Sequence, residues 1–220
     1  MRKDAVLPST HWKAFADRRR DPDSKREAVL QTAAQLFLEK SYGRTSMNDV
    51  AARLNITKPA LYHYFRNKEE ILLGCYQLGT AMIEEILNEI AAHYGTGLEK
   101  VEAFIDSYTK VMTVNFGRCV MRLDEGDLSP EAFMNIRNYK RKIDRRLRSF
   151  LQEGIADGSI APCDPKLAAF AIAGALNWIC IWYEPNGPLS PDEIAAQYVR
   201  TLTRGLTPAG PDRVQQEKQR

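Results

Sequence analysis

An all-α fold in two parts is what this 220-residue sequence predicts: a small N-terminal three-helix unit followed by a larger helical bundle. Three observations carry that reading. Apolar residues recur at three- and four-residue spacing through nearly every segment, and no stretch shows the strict alternation of a half-buried strand. The breaks "SYGRTS", "HYGTG", "EGDLSP", "DGSIAPCDP" and "EPNGPLSP" concentrate the Gly, Pro, Asp and Ser that interrupt helices. Apolar content of 44% and charged content of 27% are those of an ordinary globular chain.

Each element has its own local reason. Residues 1–23 end in "DRRRDPD" and read as a flexible basic arm. Asp23 or Ser24 caps a first helix whose apolar face is Ala28, Leu30, Ala33, Ala34, Leu36, Phe37 and Leu38. Gly43 suits the positive φ that closes a helix. Ser46 caps a second helix, "MNDVAARLN", and Asp49 stands where a carboxylate completes a capping box and opposes the helix dipole. Asn55 tolerates the left-handed conformation of a tight turn. Thr57 caps a third helix, with Pro59 in its first turn. A fourth begins near Lys68 and runs to about Ile90. Amphipathic helices follow over about 98–121, 130–156, 165–183 and 190–206, and residues 208–220 read as a disordered tail. The chain thus divides into a unit at 24–70 and a bundle at 71–207.

Charge is unevenly placed. Residues 18–68 hold eleven Lys/Arg against five Asp/Glu, whereas 69–220 hold seventeen against twenty-one. A basic excess confined to the N-terminal third fits a unit that meets a polyanion. Cys75, Cys119, Cys163 and Cys180 lie far apart with no histidine at ligand spacing, which points to reduced thiols rather than a zinc site. No cofactor is expected. No apolar run approaches the ~20 residues of a membrane span, and the start lacks the apolar core of a secretory signal. A cytoplasmic protein without membrane contact is the expectation. With only His11, His63 and His93, no catalytic cluster assembles, so an enzyme is not expected.

The two short helices around "MNDVAARLN-I-TKPALYHYF" have helix-turn-helix anatomy. Val50, Leu54, Ile56, Leu61 and Phe65 can close a small core against the first helix. Thr57, Lys58, Pro59, Ala60, Tyr62, His63 and Tyr64 remain outside. In such a motif the start of the second helix of the pair enters the major groove of double-stranded DNA. Lys58 there can donate to guanine, the hydroxyls of Tyr62 and Tyr64 to phosphates, and Lys68 to a further phosphate.

The run "GRTSMNDVAARLNITKPALYHYFRNKEEIL" resembles the signature of TetR-family transcriptional regulators, a likeness that extends over about residues 24–72. Its glycine–x–threonine entry, "VAARLNI" helix, "LYHYF" core and following lysine–glutamate carry it. The resemblance implies DNA contacts from Thr45 or Ser46, Lys58, Tyr62, His63, Tyr64 and Lys68. Pro59 departs from the glycine of many members and lacks an N–H that could meet phosphate, so base preference does not transfer.

The helix at 165–183 is apolar nearly all round, which a single surface helix should not be. A homodimer is therefore expected, paired through Ala171, Gly174, Ala175 and Trp178 with Ile194, Tyr198 and Leu202 of the last helix. The TetR resemblance implies the same pairing, as a four-helix bundle, to place two recognition helices on a palindromic operator. It also implies a small-molecule effector inside the bundle. Candidate lining residues are Tyr108, Met112, Phe116, Met121, Phe133, Trp178 and Trp182. Arg137 opens a basic run continuing through Lys140, Arg141, Lys142, Arg145, Arg146 and Arg148, either a solvated face or a holder of phosphates. The chain's ending more loosely resembles regulators of fatty-acid, steroid or aromatic-acid degradation, which suggests an acyl-CoA effector. Two alternatives stay open: a multidrug-type repressor binding cationic aromatic compounds, and a DNA-organising helix-turn-helix protein.

Overall fold

The computed structural model describes residues 22–93, 95–121 and 128–204. The expected arm and tail lie outside them, apart from Pro22 and Asp23. The described residues form nine α-helices and no strand: α1 (Pro22–Lys40), α2 (Met47–Arg53), α3 (Lys58–Tyr62), α4 (Lys68–His93), α5 (Gly97–Thr113), α6 (Asn115–Met121), α7 (Pro130–Asp157), α8 (Pro165–Trp182) and α9 (Pro191–Arg204). The all-α reading holds.

Local chemistry sets most of the boundaries. Ser46 and Asp49 form a full capping box: the Asp49 amide donates to the Ser46 hydroxyl at 3.2 Å and the Ser46 amide to the Asp49 carboxylate at 2.8 Å. Asn55 takes the left-handed turn at φ 54°, and Thr57 caps α3. The end of α1 differs from expectation. Ser41 (φ 68°), not Gly43, adopts the left-handed conformation, two residues earlier, because the Thr45 hydroxyl reaches back to the Ser41 carbonyl at 2.8 Å. The long helix expected over 98–121 is also broken. Val114 has an extended ψ of 158°, which separates α5 from α6, and a side chain at Gly117 would meet the Val111 carbonyl oxygen at 2.2 Å. Only glycine lets α6 fold back so closely.

Two cores result. The first joins α1, α2 and α3 to the start of α4 through Val29, Leu36, Phe37, Val50, Leu61, Phe65 and Leu72, and includes Cys119 of α6. The second fills the bundle with Leu87, Phe104, Ile105, Leu147, Phe150, Leu176 and Ile179. α5 is its central helix, packed against α4, α6, α7, α8 and α9. α4 and α7 run side by side in parallel: Glu69 accepts from the Ser129 amide, Tyr76 stacks on Tyr139 at 5.9 Å, and Glu84 pairs with Lys142 at 3.4 Å. At the far end α5 and α7 touch backbone to backbone, since a Cβ on Gly97 would lie 1.9 Å from the Gly154 nitrogen. The Gly97 amide donates to Asp157 there at 2.7 Å, and Lys100 pairs with Glu153 at 2.6 Å.

α8 turns an apolar stripe outward. Leu167 (65% exposed), Phe170 (52%) and Trp178 (63%), with Ala171, Gly174, Ile181 and Trp182, recur at helical spacing on its exposed face. Its opposite side, Ala169, Ile172, Leu176 and Ile179, is buried. By length and composition alone α8 could cross a membrane, the one such helix among the described residues.

Candidate functional site

The outer face of α3 is open. Leu61 and Phe65 are buried beneath it, while Thr57, Lys58, Pro59, Tyr62 (43% exposed) and His63 face solvent, with Ala60 and Tyr64 half-buried. Leu61 alone contributes roughly 1.5–3 kcal/mol through full burial, which fixes the face that remains outside. The Lys58 ammonium lies 5.8 Å from the Tyr62 ring centre, and the His63 and Tyr64 rings meet edge to face at 5.3 Å. Arg26 of α1 steadies the end of α3: it donates to the Tyr64 carbonyl at 3.0 Å and lies over the Phe65 ring at 4.2 Å. Ser46 is exposed at the start of α2, whose cap is strengthened by Lys40. The Lys40 ammonium beside Asp49, with the Ser46 hydroxyl and amide, holds the Asp49 carboxyl far below its ordinary value.

Inside the bundle lies a cavity of about 40 Å³, walled by Tyr76, Gly79, Thr80 and Ile83 of α4, Tyr108, Val111 and Met112 of α5, Phe116 and Gly117 of α6, and Tyr139, Lys140 and Ile143 of α7. Its volume matches a water or two; a larger guest must part the helices. The Tyr108 hydroxyl donates to the Asn177 side chain of α8 at 3.0 Å, and burial pushes its pKa up. Among the described residues no carboxylate lines this cavity, and Lys140 is its one charged side chain. A larger groove of about 570 Å³ between α5 and α9 is open and polar. Its carboxylates are already engaged: Glu99 caps α5 through Thr96, Glu102 accepts from the Thr203 hydroxyl at 3.3 Å, and Asp106 pairs with Lys110.

Family models place these two assemblies together. Residues 29–75 match the bacterial regulatory proteins of the tetR family, and residues 94–206 match the tetracyclin repressor-like C-terminal domain. The chain belongs to the TetR family. The HTH-type transcriptional repressor KstR2 of Mycolicibacterium smegmatis is 27% identical over 208 residues, spanning 87% of this chain and 95% of that protein. Among solved structures, the TetR family regulator PfmR of Thermus thermophilus is 30% identical with a TM-score of 0.74, covering 81% of this chain and 98% of its own. AibR, solved with isovaleryl coenzyme A and operator DNA, is 28% identical with a TM-score of 0.73, again covering 81% and 98%. The protein is a helix-turn-helix transcriptional repressor of the TetR type and not an enzyme.

Against this family frame several individual residues depart from expectation. Thr45 is buried at 2% exposure with its hydroxyl turned to the Leu36 and Ser41 carbonyls, so its side chain offers nothing to DNA. Lys68 is half-buried: its ammonium donates to the Tyr42 carbonyl at 2.8 Å and sits 4.1 Å from the Tyr42 ring centre, closing the loop between α1 and α2. Of the expected effector residues, Tyr108, Met112 and Phe116 reach the cavity wall. Trp178 and Trp182 point outward on α8, Arg137 is exposed on α7, and Phe133 is half-buried away from the wall; the Met121 side chain lies outside what is described. In the expected dimer set, Ala171, Gly174 and Trp178 are exposed and Ala175 is half-buried. Ile194 is fully buried in the bundle core, and Tyr198 and Leu202 pack against it, because α9 turns its apolar side onto α5. The wall residues Tyr76, Thr80 and Ile83 were unread in the sequence, although their spacing puts them on one helical face. Burial pushes the Cys119 thiol up to about 12 and raises Cys75 as well, which makes both unreactive.

Proposed function

We propose that this chain is a homodimeric, cytoplasmic repressor that binds a palindromic operator and lets go when an acyl-CoA thioester enters the bundle. The division of labour falls near residue 70, with the DNA-reading unit before it and the effector and pairing unit after it. One observation carries the choice of effector: the cavity wall is apolar and aromatic, no carboxylate among its described residues faces in, and the single charge is a lysine at the α7 side. A sensor of cationic drugs needs an acidic group to offset the desolvated charge. Glu84 and Asp106 are instead engaged with Lys142 and Lys110 outside the cavity. That AibR was solved with isovaleryl coenzyme A and operator DNA supports the same class.

Dimerisation follows from the α8 stripe, an apolar face that a second copy would cover. Gly174 at its centre has open space where a side chain would stand, so a partner helix can approach closely. Two copies place two α3 helices one duplex turn apart, and specificity comes from that spacing. Release needs only that the effector prefers a conformer with the wrong spacing; about 1.4 kcal/mol of preference per tenfold loss of affinity makes a few kcal/mol enough. α4, about 40 Å long at 1.5 Å per residue, joins the DNA unit to the cavity wall and is the lever. α6 adds a second link, since Phe116 lines the cavity while Cys119 sits in the DNA unit's core.

The test is a gel-shift titration on an operator selected from random DNA. Isovaleryl-, octanoyl- and benzoyl-CoA are added in turn, beside cationic dyes. Release by at least one thioester and by no dye is expected; release by dyes alone would transfer the protein to the multidrug class. Equal binding to random and selected DNA would make it a DNA organiser. Crystals of both states should differ in the distance between the two Tyr62 positions.

A further inference from the structure

We infer that the surface groove between α4 and α7 is the seat for the phosphorylated end of the effector, with Lys142 and Arg146 as its phosphate ligands and Glu84 as the anion that Lys142 releases to accept it. This rests on the acyl-CoA reading above and locates the part of such a guest that the buried cavity excludes.

Four observations converge on the groove. It has a volume of about 170 Å³ and is lined by Glu84, Leu87, Asn88, Lys142, Ile143 and Arg146. It adjoins the cavity, for Ile143 lines both and stands half-buried as the partition between them. A thioester tail on one side of Ile143 and a polar head on the other would form one continuous guest. Second, the cations are in register: Lys142 and Arg146 lie four residues apart on one helix face, and Lys140 is at the cavity wall about 9 Å along the axis from Arg146.

Third, their present partners are of a kind that a phosphate displaces. Lys142 meets Glu84 at 3.4 Å, with both side chains about half exposed (59% and 48%). Arg146 donates to the neutral Asn88 side-chain carbonyl at 3.5 Å and lies 5.7 Å from the Phe150 ring centre, with the Glu153 carboxylate near enough to feel its charge. Such long, solvated contacts hold little against a dianion that accepts several charge-assisted hydrogen bonds. By contrast Arg148 is held by Asp144 at 2.6 Å and Lys100 by Glu153 at 2.6 Å, closer carboxylate contacts than either groove cation makes. Fourth, Leu87 and Ile143 give the groove an apolar floor on which a pantetheine arm can lie. Charge, shape and continuity together favour an elongated anion whose apolar end is buried and whose phosphates remain at the surface.

The experiment compares octanoyl-CoA with S-octanoyl-pantetheine, which keeps the tail and thioester but lacks every phosphate. Dissociation constants are measured by calorimetry on the full-length wild type, a Lys142→Gln/Arg146→Gln double variant and Glu84→Gln, with thermal melts confirming that each folds. The double variant should bind octanoyl-CoA about tenfold or more weakly, and the pantetheine thioester within twofold of wild type. Glu84→Gln should tighten octanoyl-CoA about threefold and leave the pantetheine thioester unchanged, a gain that misfolding cannot produce. The groove assignment is overturned if wild type binds octanoyl-CoA and the variants bind it equally well, or if both probes weaken together. Failure of wild type to bind either probe would instead overturn the acyl-CoA reading, and the groove assignment with it.

Discussion

The proposed DNA face and the proposed effector cavity are built on opposite plans. The DNA face comes from one short run, residues 46–64, in which each turn is set by a neighbour: Ser46 with Asp49, Asn55 at φ 54°, Thr57 with Ala60. Its core is closed, with Leu61 and Phe65 at 1% exposure or less. The cavity draws on four helices and residues from Tyr76 to Ile143, and its middle is left unfilled. A reading head must hold its side chains still to match base edges, whereas a sensor must have room to change. Rigidity is therefore encoded locally, and adaptability is encoded by what distant segments fail to fill.

The two cores should respond most unequally to truncation. Leu61→Ala should cost about 2–5 kcal/mol and abolish operator binding. Phe116→Ala, at a half-buried wall beside an existing hollow, should cost less than half as much and leave DNA binding intact. Denaturant melts and gel shifts would reveal both, and equal costs would erase the contrast. Next in size, Trp178→Glu should put a charge on the α8 stripe and yield monomers by sedimentation. Operator affinity should fall about a hundredfold or more as one half-site contact set is lost, with helicity unchanged.

Finer tests sharpen the DNA face itself. Lys58→Ala should relax preference at one base pair by ~1–3 kcal/mol if Lys58 reads guanine. Tyr62→Phe should weaken all sequences alike by about 1 kcal/mol. Binding to a panel of single-base operator variants separates the two patterns. The smallest effect is on acid stability. Asp49 is held well below its ordinary 3.8 by Lys40 first and Ser46 second. With the folded value the lower one, its support is complete above about pH 4 and is lost as pH falls through the depressed value. Asp49→Asn should flatten that acid limb, measured by helix circular dichroism between pH 5 and 2.

This division also explains what the sequence revealed. Ser46, Asp49, Asn55 and Thr57 act on residues within four positions, so their roles were legible, as were the TetR likeness and the all-α fold. The inward faces of α4 and α7 were not, because Tyr76 and Tyr139 meet only through the parallel pairing of two helices 63 positions apart along the chain. Trp178 and Trp182 suggest interior positions by their aromatic bulk, yet α8 buries its small and branched side and turns the tryptophans out. Thr45 misleads in the opposite sense: a polar residue in a polar loop, it is drawn inward by two carbonyls. Ile194 reads in the sequence as a partner contact, but its own bundle core takes it up. Arg26, which braces α3 from 38 residues away, leaves no sign in the sequence.

The attachments of α7 limit how this molecule can respond. Its first turn is tied to α4 by Glu69 and Ser129, and its last turns to α5 by Asp157, Glu153 and the Gly97–Gly154 contact. Between those ties the middle of α7 carries looser contacts, the Tyr76–Tyr139 stack and the Glu84–Lys142 pair, and there Tyr139, Lys140 and Ile143 face the cavity. Were the proposed effector to enter there, any bow of that span would act as a gauge of girth: slim guests would pass beneath it, bulky ones would strain the pins, and release would follow a window of sizes rather than size alone.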